Sequence, residues 1–199
     1  MVWRSAGALV GAGAVGVVVL LMTPVVRGLG QVAAQAVVDQ TEAEPNVRYE
    51  WSPAYPYGRP NPTAPPELAQ FAFIIGEFDC IDEMRRRDGT WVRFRAIWNA
   101  HYFLNGFGVQ DEYWNPDFHT SNIRIYDPTA GRWKITFFRM SGYQSGVWEG
   151  GLEGDDLVFR SGGRTSGPGL TFYDRTEDGF EWHSGGDDPG WKSTCTRRR

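Results

Sequence analysis

Beyond residue 66 the chain alternates. Val92, Phe94, Ala96 and Trp98 take every second position, with Arg93 and Arg95 between the first three. This is the period-2 pattern of a strand with one buried face and one cationic, solvated face. Comparable stretches recur at 77–84, 109–114, around Ile123 and Ile125, at 133–140 (where Ile135 and Phe137 share a face), and at 146–152, 157–160, 170–174, 180–184 and 191–196. Turn formers separate them: Asp88-Gly89, Asn105-Gly106, Asn115-Pro116-Asp117, Asp127-Pro128 with Gly131, Gly154-Asp155-Asp156, Gly162-Gly163, Asp178-Gly179 and Asp188-Pro189-Gly190. About ten short strands at near-even spacing predict an all-β antiparallel meander, and closing into an up-and-down barrel is how a meander hides its edges from water.

Two different patterns precede the strands. Pro65-Pro66-Glu67 opens a short helix whose Leu68, Phe71, Ile74 and Ile75 share one face, and Gly76 ends it. Upstream, residues 31–66 form a linker punctuated by Pro45, Pro53, Pro56, Pro60 and Pro62, a density that forbids a helix and favours extended chain. Tyr49, Trp51, Tyr55 and Tyr57 alternate with those prolines. A solvated spacer has little use for four large aromatics, so residues 49–57 are expected to lie against a surface, either their own barrel or a neighbouring subunit. Residues 6–26, opening on Ala6 and closing on Val26, carry no charge, and a helix needs about 20 apolar residues to cross a bilayer. One reading is a signal peptide cleaved near Ala34-Gln35-Ala36; the other, which the length of the run favours, is an uncleaved anchor within residues 1–30. Arg4 and Arg27 flank the run evenly and give no orientation.

Composition narrows the function. Aromatics make up 15% of the chain and 25 residues are glycine, which suits many strands joined by tight turns. A net charge of -4 argues against a general nucleic-acid binder, since no basic surplus exists to displace phosphate counterions. Arg197-Arg198-Arg199 is a local exception, read as a solvated tail, with contact to anionic lipid or an acidic partner as the alternative. Of the two cysteines, Cys80 falls on the first predicted strand and Cys195 on the last. In an up-and-down barrel those strands are neighbours, so a Cys80–Cys195 disulfide would staple the closing seam and place the domain in an oxidising compartment; two buried thiols are the alternative.

Several motifs carry a resemblance. Phe71-Ala72-Phe73-Ile74-Ile75-Gly76-Glu77-Phe78-Asp79, Ile125-Tyr126-Asp127-Pro128, Gly131-Arg132-Trp133 and Asp188-Pro189-Gly190-Trp191 resemble an uncharacterised bacterial family of lipocalin-like, calycin-type barrels. Members begin with a Phe-x-Phe-Leu-Ile-Gly-x-Trp-Asp helix-to-strand junction and carry a Tyr-Asp-Pro hairpin. The resemblance covers residues 67–199 and implies a lipocalin-like barrel there. Phe78 stands where the family has Trp, and the last turn lacks the family's Lys-Thr pair. The family has no agreed activity and supplies no catalytic residues.

No catalytic constellation is visible. His101, His119 and His183 share no metal-type spacing, and neither a nucleophile elbow nor a phosphate-cradling glycine loop occurs. His183 opposes Phe180 and Trp182 in parity, which argues against an inward axial haem ligand. Asp111 and Glu112 face opposite sides of their strand and cannot act as a dyad. A buried carboxylate or histidine with a strongly displaced pKa would revive an enzyme reading. Phe94, Trp98, Trp133, Phe137, Trp148, Phe172 and Trp182 could line a ligand cavity or simply fill the interior, and filling is the commoner outcome in small barrels. The expected function is non-enzymatic: a single-pass subunit of a bacterial inner membrane, with its barrel on the periplasmic side, stabilising a multi-subunit complex such as a photosynthetic or respiratory one. Its partners would be the bilayer, through residues 6–26, and other membrane subunits. The alternative is an exported carrier of a small apolar ligand. No metal or other cofactor is implied.

Overall fold

A computed structural model of the chain describes residues 47–162, 169–186 and 188–199. Ten antiparallel strands form one closed barrel: β1 Gly76–Arg85, β2 Trp91–Phe103, β3 Gly108–Asn115, β4 Phe118–Asp127, β5 Arg132–Arg139, β6 Gln144–Glu153, β7 Asp156–Ser161, β8 Gly169–Tyr173, β9 Gly179–Ser184 and β10 Trp191–Arg197. Each strand pairs with its neighbours in sequence, and β10 returns to pair with β1, so the up-and-down meander has no free edge. The anchor segment lies outside the described residues, among which no helix is long and apolar enough to cross a membrane.

The alternation of β2 survives intact, with Ala96, Trp98, Ala100 and Tyr102 buried inside. On β4 it does not. Ile123 and Ile125 mark that strand in the sequence, yet fully buried Arg124 shares the inner parity with Asn122, and Ile125 is exposed. Register decides this: Arg124 sits opposite Val109 and Asn122 opposite Asp111, both inward residues of β3.

A 3-10 helix, Pro66–Ile74, plugs the end of the barrel where β1 begins, burying Leu68, Phe71 and Ile74. Phe71 meets Trp133 edge-on with ring centroids 4.7 Å apart, and Phe73 meets Phe180 at 5.2 Å. Gln70 Oε1 accepts the Trp133 indole N–H at 2.9 Å. Arg197, read from the sequence as part of a solvated tail, instead holds the helix. Its guanidinium donates to the carbonyls of Phe73 and Ile75, its Nε donates to Glu177 O, and its Cζ lies 4.5 Å from the Phe78 ring. Arg198 and Arg199 pair with Asp79 and Asp178. The physical reason is that the helix ends with bare carbonyls pointing at the closing strand, and a guanidinium satisfies several at once.

The glycines opposite two large interior rings serve different ends: Gly146 leaves room for the Phe137 ring, while a Cβ at Gly150 would strike the backbone of Val158 and Phe159. Trp133 faces Gly150 and Phe137 faces Gly146 across the β5–β6 ladder. A Cβ at Gly146 would lie 2.5 Å from the Phe137 ring.

The aromatic part of the linker lies on its own barrel, against the β2–β3 turn. The amides of Tyr49 and Asn105 donate respectively to Asn105 Oδ1 and Glu50 Oε1, both at 2.9 Å, and Tyr102 N–H donates to Tyr57 O at 2.8 Å. Gly106, at φ 82°, lets the strap approach, since a Cβ there would meet Arg59 O at 2.6 Å. Tyr49 and Tyr55 hold the Arg59 guanidinium between them, whereas Trp51 is 66% exposed.

Cys80 and Cys195 are direct partners in the β1–β10 register and form a disulfide, with Cα atoms 4.0 Å apart. It spans 115 residues of sequence. In the chain-entropy account a loop of that size contributes roughly 4–5 kcal/mol by restricting the unfolded chain. The joint Cys80→Ala, Cys195→Ala variant is therefore expected to fold with a midpoint lower by on the order of 10 °C. Thermal unfolding followed by near-UV circular dichroism measures it; an unchanged midpoint would show that the ladder alone carries the seam.

Candidate functional site

The interior is graded along the barrel axis. At the helix end it is apolar, packed by Phe71, Trp133, Phe159 and Phe172. Next comes a buried ion pair. Arg124 Nη1 donates to Asp111 Oδ2, and neither side chain has any exposed surface. Asn122 Nδ2 donates to the other Asp111 oxygen at 2.7 Å. The guanidinium carbon lies 5.0 Å from the Phe71 ring, 5.8 Å from Trp98 and 5.9 Å from Phe172, an aromatic cage. Burial pushes the Arg124 guanidinium below its ordinary value, with the Asp111 carboxylate paired to it.

Towards the open end stands a second polar group. Asp82 is fully buried; Tyr113 Oη donates to its Oδ2, and Asn115 Nδ2 donates to the same oxygen at 3.3 Å. Ser193 and Trp191 border it. Burial pushes the Asp82 carboxyl up, against the opposing pull of these donors. Burial, and then the nearby Asp82 charge, push the Tyr113 phenol far up, so Tyr113 stays a donor.

Between these groups and solvent lies a cavity of about 240 Å³. Four tryptophans, Trp98, Trp148, Trp182 and Trp191, form much of its wall, with Phe137, Tyr113 and Leu170. Its polar lining comes from Asn122, Arg124, Thr120, Ser184, Gln144 and, at the rim, Arg139. A shallower groove of about 630 Å³ adjoins it across the rim, where Met140 and Tyr143 are 64% and 89% exposed.

The structure splits the seven aromatics singled out from the sequence. Trp98, Phe137, Trp148 and Trp182 face the cavity. Trp133 and Phe172 are fully buried in the plugged half, and Phe94 is half-buried opposite Asp82 on the β1–β2 ladder. His183 stands beside the Tyr173 ring at 5.5 Å, on the parity opposite to buried Trp182. Among the described residues no group of His, Cys, Asp and Glu is arranged to hold a metal ion.

Sequence reasoning passed over Asp82, Arg124, Tyr113 and the inward role of Asp111. A signal existed for three of them: Asp82 shares parity with Phe78 and Cys80, and Asp111 and Tyr113 share it with Val109. The signal for Arg124 is mixed, since its strand neighbours of like parity include polar Thr120 and Asn122 beside Tyr126, which packs on Trp133. No protein-family model matches the chain. No curated protein matches it either. The site must therefore be read from its own chemistry.

Two consequences can be measured. Removing one member of a buried ion pair strands its partner, at a cost of about 3–5 kcal/mol, while replacing both with apolar residues of similar volume is often close to neutral. Asp111→Ala is expected to lose stability on that scale, and the Asp111→Leu, Arg124→Met pair to lose much less, as urea titration would show. For Asp82 the sign is opposite to that of a paired surface carboxylate. Its folded pKa lies above the ordinary value, so the native state holds a proton that the unfolded chain has released. Its contribution is full below the ordinary carboxylate pKa and is lost as pH rises through the raised one. Asp82→Asn is expected to remove this downward slope with rising pH; a wild-type and variant pair with parallel pH-stability curves would contradict it.

Proposed function

We propose that the domain is an extracytoplasmic, non-enzymatic barrel that binds a small, largely apolar molecule in its open half, and that it belongs with the lipocalin-like barrels its motifs resemble. One observation carries the reading: the plugged half is occupied by fully buried, mutually packed aromatic rings, while the other half keeps a tryptophan-walled cavity next to a groove at the rim. Concave, mostly apolar sites with a few convergent polar groups are what small-molecule binding uses. The Cys80–Cys195 bond supports an oxidising compartment, which fits the periplasmic face of a bacterial inner membrane with residues 6–26 as the anchor.

Asp82 does not turn the site into an enzyme. A general acid or base must come within hydrogen-bond reach of substrate. Asp82 is instead enclosed by Tyr113, Asn115 and Ser193, and its side chain does not line the cavity. A second reading, a stabilising subunit of a membrane complex, is favoured by Trp51 and Tyr55, whose rings are exposed on the strap although its backbone is docked.

Full-length protein extracted in mild detergent tests both. Titration with the neutral dye N-phenyl-1-naphthylamine is expected to saturate at one dye per chain, with energy transfer from tryptophan. Ser184→Trp, which fills the cavity from β9, is expected to weaken binding at least tenfold. Failure of the dye to bind wild-type protein would overturn the carrier reading, and a native mass showing the chain alone would count against the subunit.

A further inference from the structure

The cavity's polar lining has an imbalance that specifies more than apolarity. Three buried side chains on its wall carry N–H groups with no protein acceptor: Trp98 Nε1, Trp182 Nε1, and Nε and Nη2 of Arg124. Trp98 and Trp182 are 3% and 4% exposed, and Arg124 is not exposed at all. They are also close together. The Trp98 ring lies 5.8 Å from the Arg124 guanidinium carbon and 6.1 Å from the Trp182 ring. Buried polar groups in native proteins are nearly always paired, so clustered orphan donors of one sign call for an acceptor from outside the chain.

Charge then distinguishes between acceptors. The positive charge of Arg124 is already matched by Asp111, which takes its Nη1. Asp82 does not line the cavity but accepts from Tyr113, which does, and adds negative potential whenever it is ionised. Arg139 is exposed at the rim, where its Nε donates to Ser141 Oγ at 2.7 Å. The depth of the cavity thus offers hydrogen bonds without a surplus of positive charge. An anion placed there would lose its hydration with no unmatched cation to meet it, whereas a neutral oxygen acceptor would not.

Resting on the carrier reading, we propose that the ligand is a neutral, planar aromatic or conjugated carbonyl compound (a ketone, lactone or quinone). Its carbonyl oxygen accepts from Arg124 and the indole N–H groups of Trp98 and Trp182. Its ring system packs among the tryptophans nearer the rim, Trp148 and Trp191. No bond is made or broken; the site recognises an acceptor and encloses a ring.

Three probes of similar shape separate the possibilities on the unaltered full-length protein: 1-acetonaphthone, a neutral ketone; 1-isopropenylnaphthalene, its counterpart without an acceptor; and 1-naphthoate, the anion. Dissociation constants come from tryptophan quenching and calorimetry. The ketone is expected to bind at least tenfold tighter than the alkene, and tighter than the naphthoate. Trp182→Phe, and separately the Asp111→Leu, Arg124→Met pair, are expected to reduce the ketone's advantage while leaving alkene binding within about threefold. Equal binding of ketone and alkene overturns the proposal, as does naphthoate binding tightest. If all three probes fail while the neutral dye binds, the acceptor specificity is wrong and the carrier reading stands. If the dye fails too, both fall.

Discussion

Everything in this domain follows from closing the ring at β1 and β10. A meander has two edges whose backbone N–H and C=O groups would face solvent or another chain, and pairing the first strand with the last removes both. The closing pair is tied at several heights. The disulfide holds its middle, Arg85 reaches Asp188 near the open end, and Arg198 reaches Asp79 near the helix. The exposed pairs contribute little beside the covalent bond. Arg197 links the same strand to the plug, so the event that closes the wall also closes one end.

A ring of ten strands is wide, and its interior is either filled by side chains or left open. Here the two solutions share one barrel. The helix drives Phe71 among Trp133, Phe159 and Phe172, and that half is solid. The helix reaches no further, and beyond it the inward residues are polar or are tryptophans that pack on one another along the wall, Trp98 on Trp182 and Trp182 on Trp191, and leave a cavity beside them. The cavity is the part of the interior that the plug does not reach, and this is why its floor is the Arg124–Asp111 pair. The aromatic strap at 49–57 belongs to the same end as the plug and covers the β2–β3 turn without touching the open half.

How much of this was legible in the chain depended on which strand was read. On β2 and β5 the inward residues are apolar and the alternation shows them directly, down to Trp98, Trp133 and Ile135. The pairing of Cys80 with Cys195 followed from topology alone, because first and last strands must meet in a closed meander. The polar interior was hidden for a physical reason. Alternation sorts residues by hydrophobicity, and a buried Asp or Arg falls on the wrong side of that sort. Asp82 and Asp111 could have been recovered from the parity of Phe78, Cys80 and Val109. Arg124 was harder to recover, because on β4 Ile123 and Ile125 take the outward parity and Tyr126 alone among its near neighbours of like parity packs on the core. Likewise the cavity was not readable, since it depends on how far the helix penetrates.

β4 also explains what a buried ion pair is for in a fold that could have done without one. Sliding β4 by one residue would bring Ile123 and Ile125 inside and carry Tyr126 off Trp133, so burial alone would favour it by roughly the 1.5–3 kcal/mol of one side chain net. The same slip would carry Arg124 out to solvent and leave Asp111 buried opposite apolar residues. That stranded carboxylate would cost about 3–5 kcal/mol, and Asn122 would no longer donate to it. The second quantity is the larger, so the pair outweighs the gain that hydrophobicity offers the wrong register. The turn Tyr126–Arg132 then adds to the native one, with Asp127 accepting from Thr129, Ala130 and Lys134. A polar pair that adds little to net stability thus fixes which face of β4 meets the lumen. By doing so it keeps Arg124, two of whose nitrogens have no protein acceptor, at the floor of the cavity.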